Sequence, residues 1–279
     1  MSLDNSSFES DTDQLLIEVA GKVAVITLNR PEARNALSPE LTGALRKAIA
    51  WAAQSPDIGA LLLTGAGSAF CSGGDVKAMG KRSTSAAKAK PPSFEDQYQE
   101  MRARHHEIAG ALHKMRKPTL AVLPGPAAGA GMSIALSCDM RFASTNAFLS
   151  TAYARIGVSG DYGMAWLLTR VVGPARARQL LLTSERVSAQ RAYEIGLVTE
   201  VVAEGELQAA ALEYAAQLAS GPQVAYGYIK DNIDDALTID HATAIDREVD
   251  RFLKTRSTND HREAVKAFAE KRQPVFEGK

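Results

Sequence analysis

Cysteine is scarce in the 279-residue chain: only Cys71 and Cys138 are present, far apart and outside any CxxC pair. Two such residues cannot build a disulfide framework or a zinc site by themselves, and they fit a reducing compartment. Charge of one sign is missing too. The 32 Lys+Arg balance 32 Asp+Glu, so the basic excess that a nucleic-acid binder uses to neutralise phosphates does not appear. No apolar run approaches the ~18 residues of a membrane span. Residues 1–13 are acidic and polar and lack the basic and apolar segments of a targeting sequence. They are expected to be a disordered tail, with the protein cytoplasmic and not bound to membrane or nucleic acid.

What is present is ordinary for a globular chain, 46% hydrophobic and 23% charged, with enough length for a large core. Leu15–Val19 and Val23–Leu28 read as two strands joined at hairpin spacing by Gly21-Lys22. Ser38-Pro39 reads as an N-cap with Pro at the first helical position. Leu41, Leu45, Ile49 and Ala53 then give a helix ending near Ser55-Pro56. Ile58–Thr64 and Thr119–Leu123 are short apolar runs, as in strands buried on both faces. Strand, helix, strand at this spacing is a parallel crossover unit, so the class is α/β. Residues 81–93 have low complexity and are expected to form a mobile loop, followed by a helix from Phe94 to Met115. Beyond Gly163 the pattern is mostly helical, with a short strand at Val198–Val202. The chain divides into a core over 14–200 and a helical section over 201–279.

Most catalytic motifs are absent. Gly65–Phe70 and Gly129–Ile134 both lack the third glycine of a dinucleotide fingerprint, and no phosphate loop of the GxxxxGK type occurs. His105-His106-Glu107 does not have the HExxH spacing, and no metal site is expected. Gly157–Asp161 approaches a nucleophile elbow but ends in Asp rather than Gly. Two small-residue loops remain, each following a buried strand: Ala69–Asp75, and Gly125–Gly131 leading into a helix over Met132–Cys138. Small side chains let a ligand or another backbone approach amide N–H groups closely. Spacing alone leaves two readings open, an oxyanion hole or tight loop packing.

Five landmarks, in order, carry a resemblance: Leu28–Leu37 (Leu-Asn-Arg-Pro-Glu-Ala-Arg-Asn-Ala-Leu), Phe70–Asp75, Gly125–Gly131 with Cys138-Asp139, Arg155-Ile156-Gly157, and Ala189–Ala192 with Gly196–Val198. From about Leu15 to Lys271 the chain resembles the crotonase (enoyl-CoA hydratase/isomerase) superfamily. The resemblance implies a spiral of repeated ββα units with a helical C-terminal section that builds trimers or hexamers. It also implies an acyl-CoA substrate and no separate cofactor, coenzyme A being part of the thioester. By motif match, the N–H groups of Ser72 and Ala130 form the oxyanion hole. Ala33, Ala69, Gly73, Asp75, Gly129, Phe268 and Lys271 are implied in substrate binding, with Trp166 a further candidate for the acyl pocket.

Hydratases of the family use two glutamates around one water. Ser133 and Tyr153 occupy those positions here, and neither is a useful base near neutral pH. A carboxylate appears eight residues on, at Asp161, where several branches of the family carry the acting acid. One base and an oxyanion hole suffice for a double-bond shift. An isomerase using Asp161, helped by Tyr153 and Ser133, is therefore expected. The competing role for Asp161 is an N-cap for a helix over Gly163–Val171. The alternative activities are a hydratase without the glutamate pair, a silent acyl-CoA binder and an RNA-binding homologue. Residues 81–117 carry nine Lys/Arg against four acids and are the expected place for the coenzyme's phosphates. Asp139 is expected to order its loop and to pair with Arg141.

Overall fold

The computed structural model describes residues 8–75 and 92–279. Most of the expected mobile loop, residues 81–91, lies outside the described residues, as do Lys81, Arg82, Lys88 and Lys90. Residues 8–13 differ from the expected free tail. Phe8 stacks on Trp51 with ring centroids 5.5 Å apart, Asp11 pairs with Lys47 at 2.6 Å, and the Asp13 carbonyl accepts from Asn29 Nδ2 at 2.7 Å. One aromatic ring is enough to dock a polar segment that composition alone reads as solvated.

The hairpin forms as expected. Strand β1 (Leu15–Ala20) pairs antiparallel with β2 (Val23–Leu28), and Gly21 supplies the positive φ of 61° at the turn. Helix α1 (Pro39–Gln54) starts at Ser38, whose side chain accepts from the Leu41 N–H. Its buried stripe ends at Ala52 rather than Ala53, because a strict four-residue repeat drifts off a face of period 3.6.

Beyond α1 the chain adds parallel strands: β3 (Ala60–Gly65), β4 (Thr119–Leu123), β6 (Met140–Ser144) and β9 (Glu200–Val202). The sheet order is β1-β2-β3-β4-β6-β9. Every residue of β3 and β4 is buried. Alternation explains why: Leu61 and Leu63 join the main core with α1, while Ala60 and Leu62 pack against helix α6 (Leu207–Ala219). A second sheet of short strands, β5 (Ala127–Ala128), β7 (Phe148–Ser150) and β8 (Val187–Ser188), has the order β5-β7-β8. Runs of two or three residues give no periodicity to read, so these strands left no signal in the sequence.

The helix expected over Phe94–Met115 is regular only over α2 (Phe94–His105), then opens into a π turn at His106–Gly110 and closes at Ala111–Lys114. Ser93 caps α2 in a reciprocal capping box with Asp96. Helix α3 runs Ala130–Leu136, two residues earlier than expected. Helix α4 (Met164–Thr183) is bent where Gly173 takes φ 77° before Pro174. Helix α5 (Ala189–Glu194) is capped by Ser188, as expected. Helices α7 (Gln223–Ala236), α8 (His241–Arg256) and α9 (Asn259–Glu270) complete the chain.

Asn35, fully buried, fastens the turn after β2 to the loop after β3. Its amide donates to the carbonyls of Ala66 and Ala69 at 2.9 and 2.8 Å, and its Oδ1 accepts from Arg30 N–H at 2.8 Å. Asn35→Ala leaves these backbone groups without partners. Urea denaturation is expected to show a loss of about 3 kcal/mol in unfolding free energy.

Candidate active site

Strands β3 and β4 are parallel neighbours, so the loops that follow them emerge side by side at the carboxyl end of the sheet. Crevices at this end are where open α/β sheets bind ligands. Cys71 bridges to Ala127, and Leu37 bridges to Gly74. The loops touch through glycines. A Cβ on Gly73 (φ 92°) would stand 2.9 Å from the Ala128 carbonyl oxygen and 3.4 Å from the Ala130 nitrogen. A Cβ on Gly131 would overlap the Cys71 carbonyl.

The expected pairing of Ser72 with Ala130 requires a correction at Ser72. Its N–H donates to the Arg34 carbonyl at 3.0 Å, across the tight turn in which Arg34 and Asn35 both have positive φ. The Gly73 N–H leans on Cys71 Sγ at 3.4 Å. Among the described residues the Gly74 N–H has no partner. Ala130 is the first residue of α3, so its N–H has none inside the helix. The two unpaired donors flanking the Gly73 contact are therefore Gly74 and Ala130. Motif reading placed the first donor two residues early because it could not see the bond to Arg34.

Beside this contact, three side chains that the sequence singled out converge. Tyr153 OH donates to Asp161 Oδ1 at 2.5 Å, and Ser133 Oγ lies 2.9 Å from Tyr153 OH. Ser133 Oγ also reaches the carbonyls of Asp161 and Gly129, at 3.2 and 3.4 Å. Burial first, then the Asp161 charge and the hydrogen bond to it, push the Tyr153 phenol well above its ordinary pKa. Tyr153 thus keeps its proton and points it at the carboxylate. Asp161 is half-buried, and its Oδ2 has no hydrogen-bond partner among the described residues. The N-cap role does not hold. Gly163 occupies the cap, and the Asp161 carbonyl, not its carboxylate, accepts the Met164 N–H at 3.0 Å.

The remaining candidates have structural partners. Ala33 O accepts from Ser72 Oγ at 3.3 Å, Ala69 O is held by Asn35, and Gly129 N–H donates to Ser150 O at 3.0 Å. Asp75 pairs with Arg30 at 3.3 Å. Asp139 pairs with Lys230 at 2.7 Å and accepts from Thr119, rather than pairing with Arg141. Arg141 instead turns inward to the carbonyls of Leu197 and Cys138, at 2.6 and 2.7 Å. Phe268 is 87% exposed on α9 and Lys271 caps that helix with φ 54°; neither meets the site within this chain. Of the basic cluster, Arg104 pairs with Glu100, Arg116 pairs with Asp231, and Lys117 donates to the Ala52 and Ser55 carbonyls. These three have partners inside the chain, while Lys81, Arg82, Lys88 and Lys90 lie outside the described residues.

The family model for enoyl-CoA hydratase/isomerase matches residues 18–279. The chain belongs to the enoyl-CoA hydratase/isomerase family. Its relatives in this family carry both activities in their names. The 1,2-epoxyphenylacetyl-CoA isomerase of Escherichia coli K12 is 36% identical over 265 residues, covering 95% of this chain and 98% of that one. A short-chain-enoyl-CoA hydratase of Clostridium acetobutylicum is 33% identical over 269 residues, covering 94% and 97%. The crystal structure of an enoyl-CoA hydratase from Polaromonas sp. JS666 matches with a TM-score of 0.85 at 33% identity, covering 94% and 99%. The α/β architecture is thus the crotonase fold, and the protein is an enzyme of this family. No helix among the described residues is long and apolar enough to cross a membrane.

Cys71 sits in this enzyme's donor loop without reactive character: it is fully buried, and burial pushes its thiol up to about 12. Cys138 is likewise buried and raised to about 12. Neither thiol is expected to react with an aromatic disulfide reagent at pH 8 until denaturant is added, when both react. Absorbance of the released thiolate measures this.

Proposed function

We propose that the enzyme shifts a double bond within an enoyl-CoA thioester, with Asp161 as its base and Ala130 and Gly74 N–H as donors to the thioester oxygen. The observation that carries this reading is the chain from Ser133 through Tyr153 to Asp161. Family hydratases bring two glutamates to the positions of Ser133 and Tyr153; here two hydroxyls stand there and run to a single carboxylate.

Adding water across a double bond needs one group to deliver hydroxide and another to deliver a proton. Moving a double bond needs one group that takes a proton from C2 of a 3-enoyl thioester and returns it at C4. Asp161 Oδ2, without a hydrogen-bond partner among the described residues, is the oxygen for that work, while Tyr153 holds Oδ1 in place. As the C2 proton leaves, its electron pair moves onto the thioester oxygen. Two preorganised amides stabilise that charge, each lowering the barrier by about 3 kcal/mol. The proton then returns to C4 as the double bond settles between C2 and C3, so atoms and charge balance without water.

A homotrimer, or a hexamer of two trimers, belongs to the same reading. It is supported by exposed apolar side chains on α7 and α8, among them Ile233, Val249 and Phe252, which a single chain leaves in water.

The test supplies a 3-enoyl-CoA and crotonyl-CoA to the wild type and to two variants. Asp161→Asn is expected to lower kcat for isomerisation by about 10²- to 10⁴-fold. Tyr153→Phe, which frees Oδ1 and removes the phenol beside Ser133 Oγ, is expected to lower kcat by about tenfold with KM nearly unchanged. Fast hydration of crotonyl-CoA that survives Asp161→Asn would contradict the reading and favour a hydratase.

A further inference from the structure

Next to the base lies a cavity of about 320 Å³ that a proton shift on a short acyl chain does not require. Its volume falls in the range of about 300–1,000 Å³ typical of small-molecule sites. His105, His113, Tyr162, Trp166 and Leu167 line it, with Ser137 at the end of α3.

Helix α3 orders the site along its axis. Ala130 stands at the thioester oxygen, Ser133 near Asp161, and Ser137 one turn further on. At about 1.5 Å rise per residue, Ser137 lies roughly 10 Å beyond Ala130. The cavity takes Ser137 from the far end of this helix and Tyr162 from the position next to Asp161, so it lies ahead of an acyl group held by its carbonyl at Ala130.

The walls are flat and fixed. The rings of His105 and Tyr162 lie 4.0 Å apart, and those of His113 and Trp166 meet edge-on at 5.0 Å. The Arg170 guanidinium stacks 3.6 Å over Trp166 and holds the indole. An aromatic lining held in place by such contacts suits a planar ring better than a flexible chain. One polar atom among them lacks a partner: His105 Nε2 is buried and unbonded. Such an atom costs about 1–3 kcal/mol until something pairs with it. Burial, the largest influence, lowers the imidazole's pKa, which favours a neutral ring able to donate or accept. Directly after His105 the helix opens into the π turn over His106–Gly110, an irregularity frequent at functional sites.

We propose that this cavity receives a planar ring at the far end of the acyl group, and that His105 Nε2 hydrogen-bonds an oxygen carried by that ring. The substrate class is then a ring-bearing, oxygen-substituted acyl-CoA rather than a linear one, and His105 is the specificity residue. This rests on the placement of thioester and base proposed above.

The experiment measures Kd for three saturated thioesters: hexanoyl-CoA, 3-phenylpropanoyl-CoA and 3-(4-hydroxyphenyl)propanoyl-CoA. Calorimetry reads binding, and Trp166 fluorescence in a Trp51→Phe background reads occupancy of the cavity. In the wild type, ring thioesters are expected to bind about tenfold more tightly than hexanoyl-CoA, a difference of about 1.4 kcal/mol. The hydroxyl is expected to add about another fivefold. His105→Phe keeps a flat wall and is expected to erase the hydroxyl's advantage; His105→Asn is expected to retain part of it. Equal affinity for hexanoyl-CoA and the ring thioesters in the wild type would overturn the proposal, whatever the variants do. A hydroxyl preference unchanged in His105→Phe would overturn the role of His105. Isomerisation of a short linear 3-enoyl-CoA reports Asp161 separately. Its absence alongside intact ring preference counts against the base alone, and ring preference lost with isomerisation intact counts against the cavity alone.

Discussion

The site depends on how closely two backbones approach each other. The loop after β3 and the loop after β4 touch through Gly73 and Gly131, where a Cβ would run into the facing backbone. That approach is fixed from both sides. The Cys71–Ala127 bridge joins the loops directly, and buried Asn35 ties the first loop to the turn after β2. Residues with positive φ, Arg34 and Asn35 in the turn and Gly73 and Gly129 in the loops, aim each amide. Such conformations persist only where the surrounding structure imposes them. The result is a pair of N–H groups, Gly74 and Ala130, without a partner among the described residues, a costly arrangement unless a ligand oxygen fills it.

The second element is a directional run of hydroxyls. The carboxylate is the strongest acceptor in the group, so it accepts the hydrogen bond from Tyr153 OH, and Ser133 can donate to Tyr153 in turn. Because burial and the Asp161 charge hold the phenol protonated, this polarity is fixed. Two positions that carry glutamate in the family's hydratases have thus become support for one carboxylate. The fold is that of the enoyl-CoA hydratase/isomerase family, whereas the proposed chemistry follows from this local substitution of charge by hydrogen bonding.

Local signals made much of the fold legible. The Gly21 hairpin, the Ser38-Pro39 start of α1, the Ser188 cap and the apolar runs of β3 and β4 each depend on neighbours a few residues away. What escaped was set at long range. Lys230 partners Asp139 across 91 residues, so the sequence pointed to nearby Arg141 instead. Phe8 docks on Trp51, 43 residues away in sequence, in a segment whose composition reads as tail. At the site, Ser133, Tyr153 and Asp161 were readable and do converge, because the motif spacing places them on adjoining elements. Ser72 was misassigned since its amide is spent on Arg34, a bond visible only once the turn and the loop are folded together. The π turn below His105 left no trace, as no residue type marks that widening.

The central claim is that Asp161 removes a proton beside a thioester whose oxygen is held by two backbone amides. The most direct measurement follows deuterium entry at C2 of a saturated acyl-CoA in D2O by NMR, in the wild type and Asp161→Asn, with Kd measured in parallel. The account predicts exchange in the wild type, its loss in Asp161→Asn, and thioester affinity nearly unchanged. Exchange that continues at the wild-type rate in Asp161→Asn would contradict it.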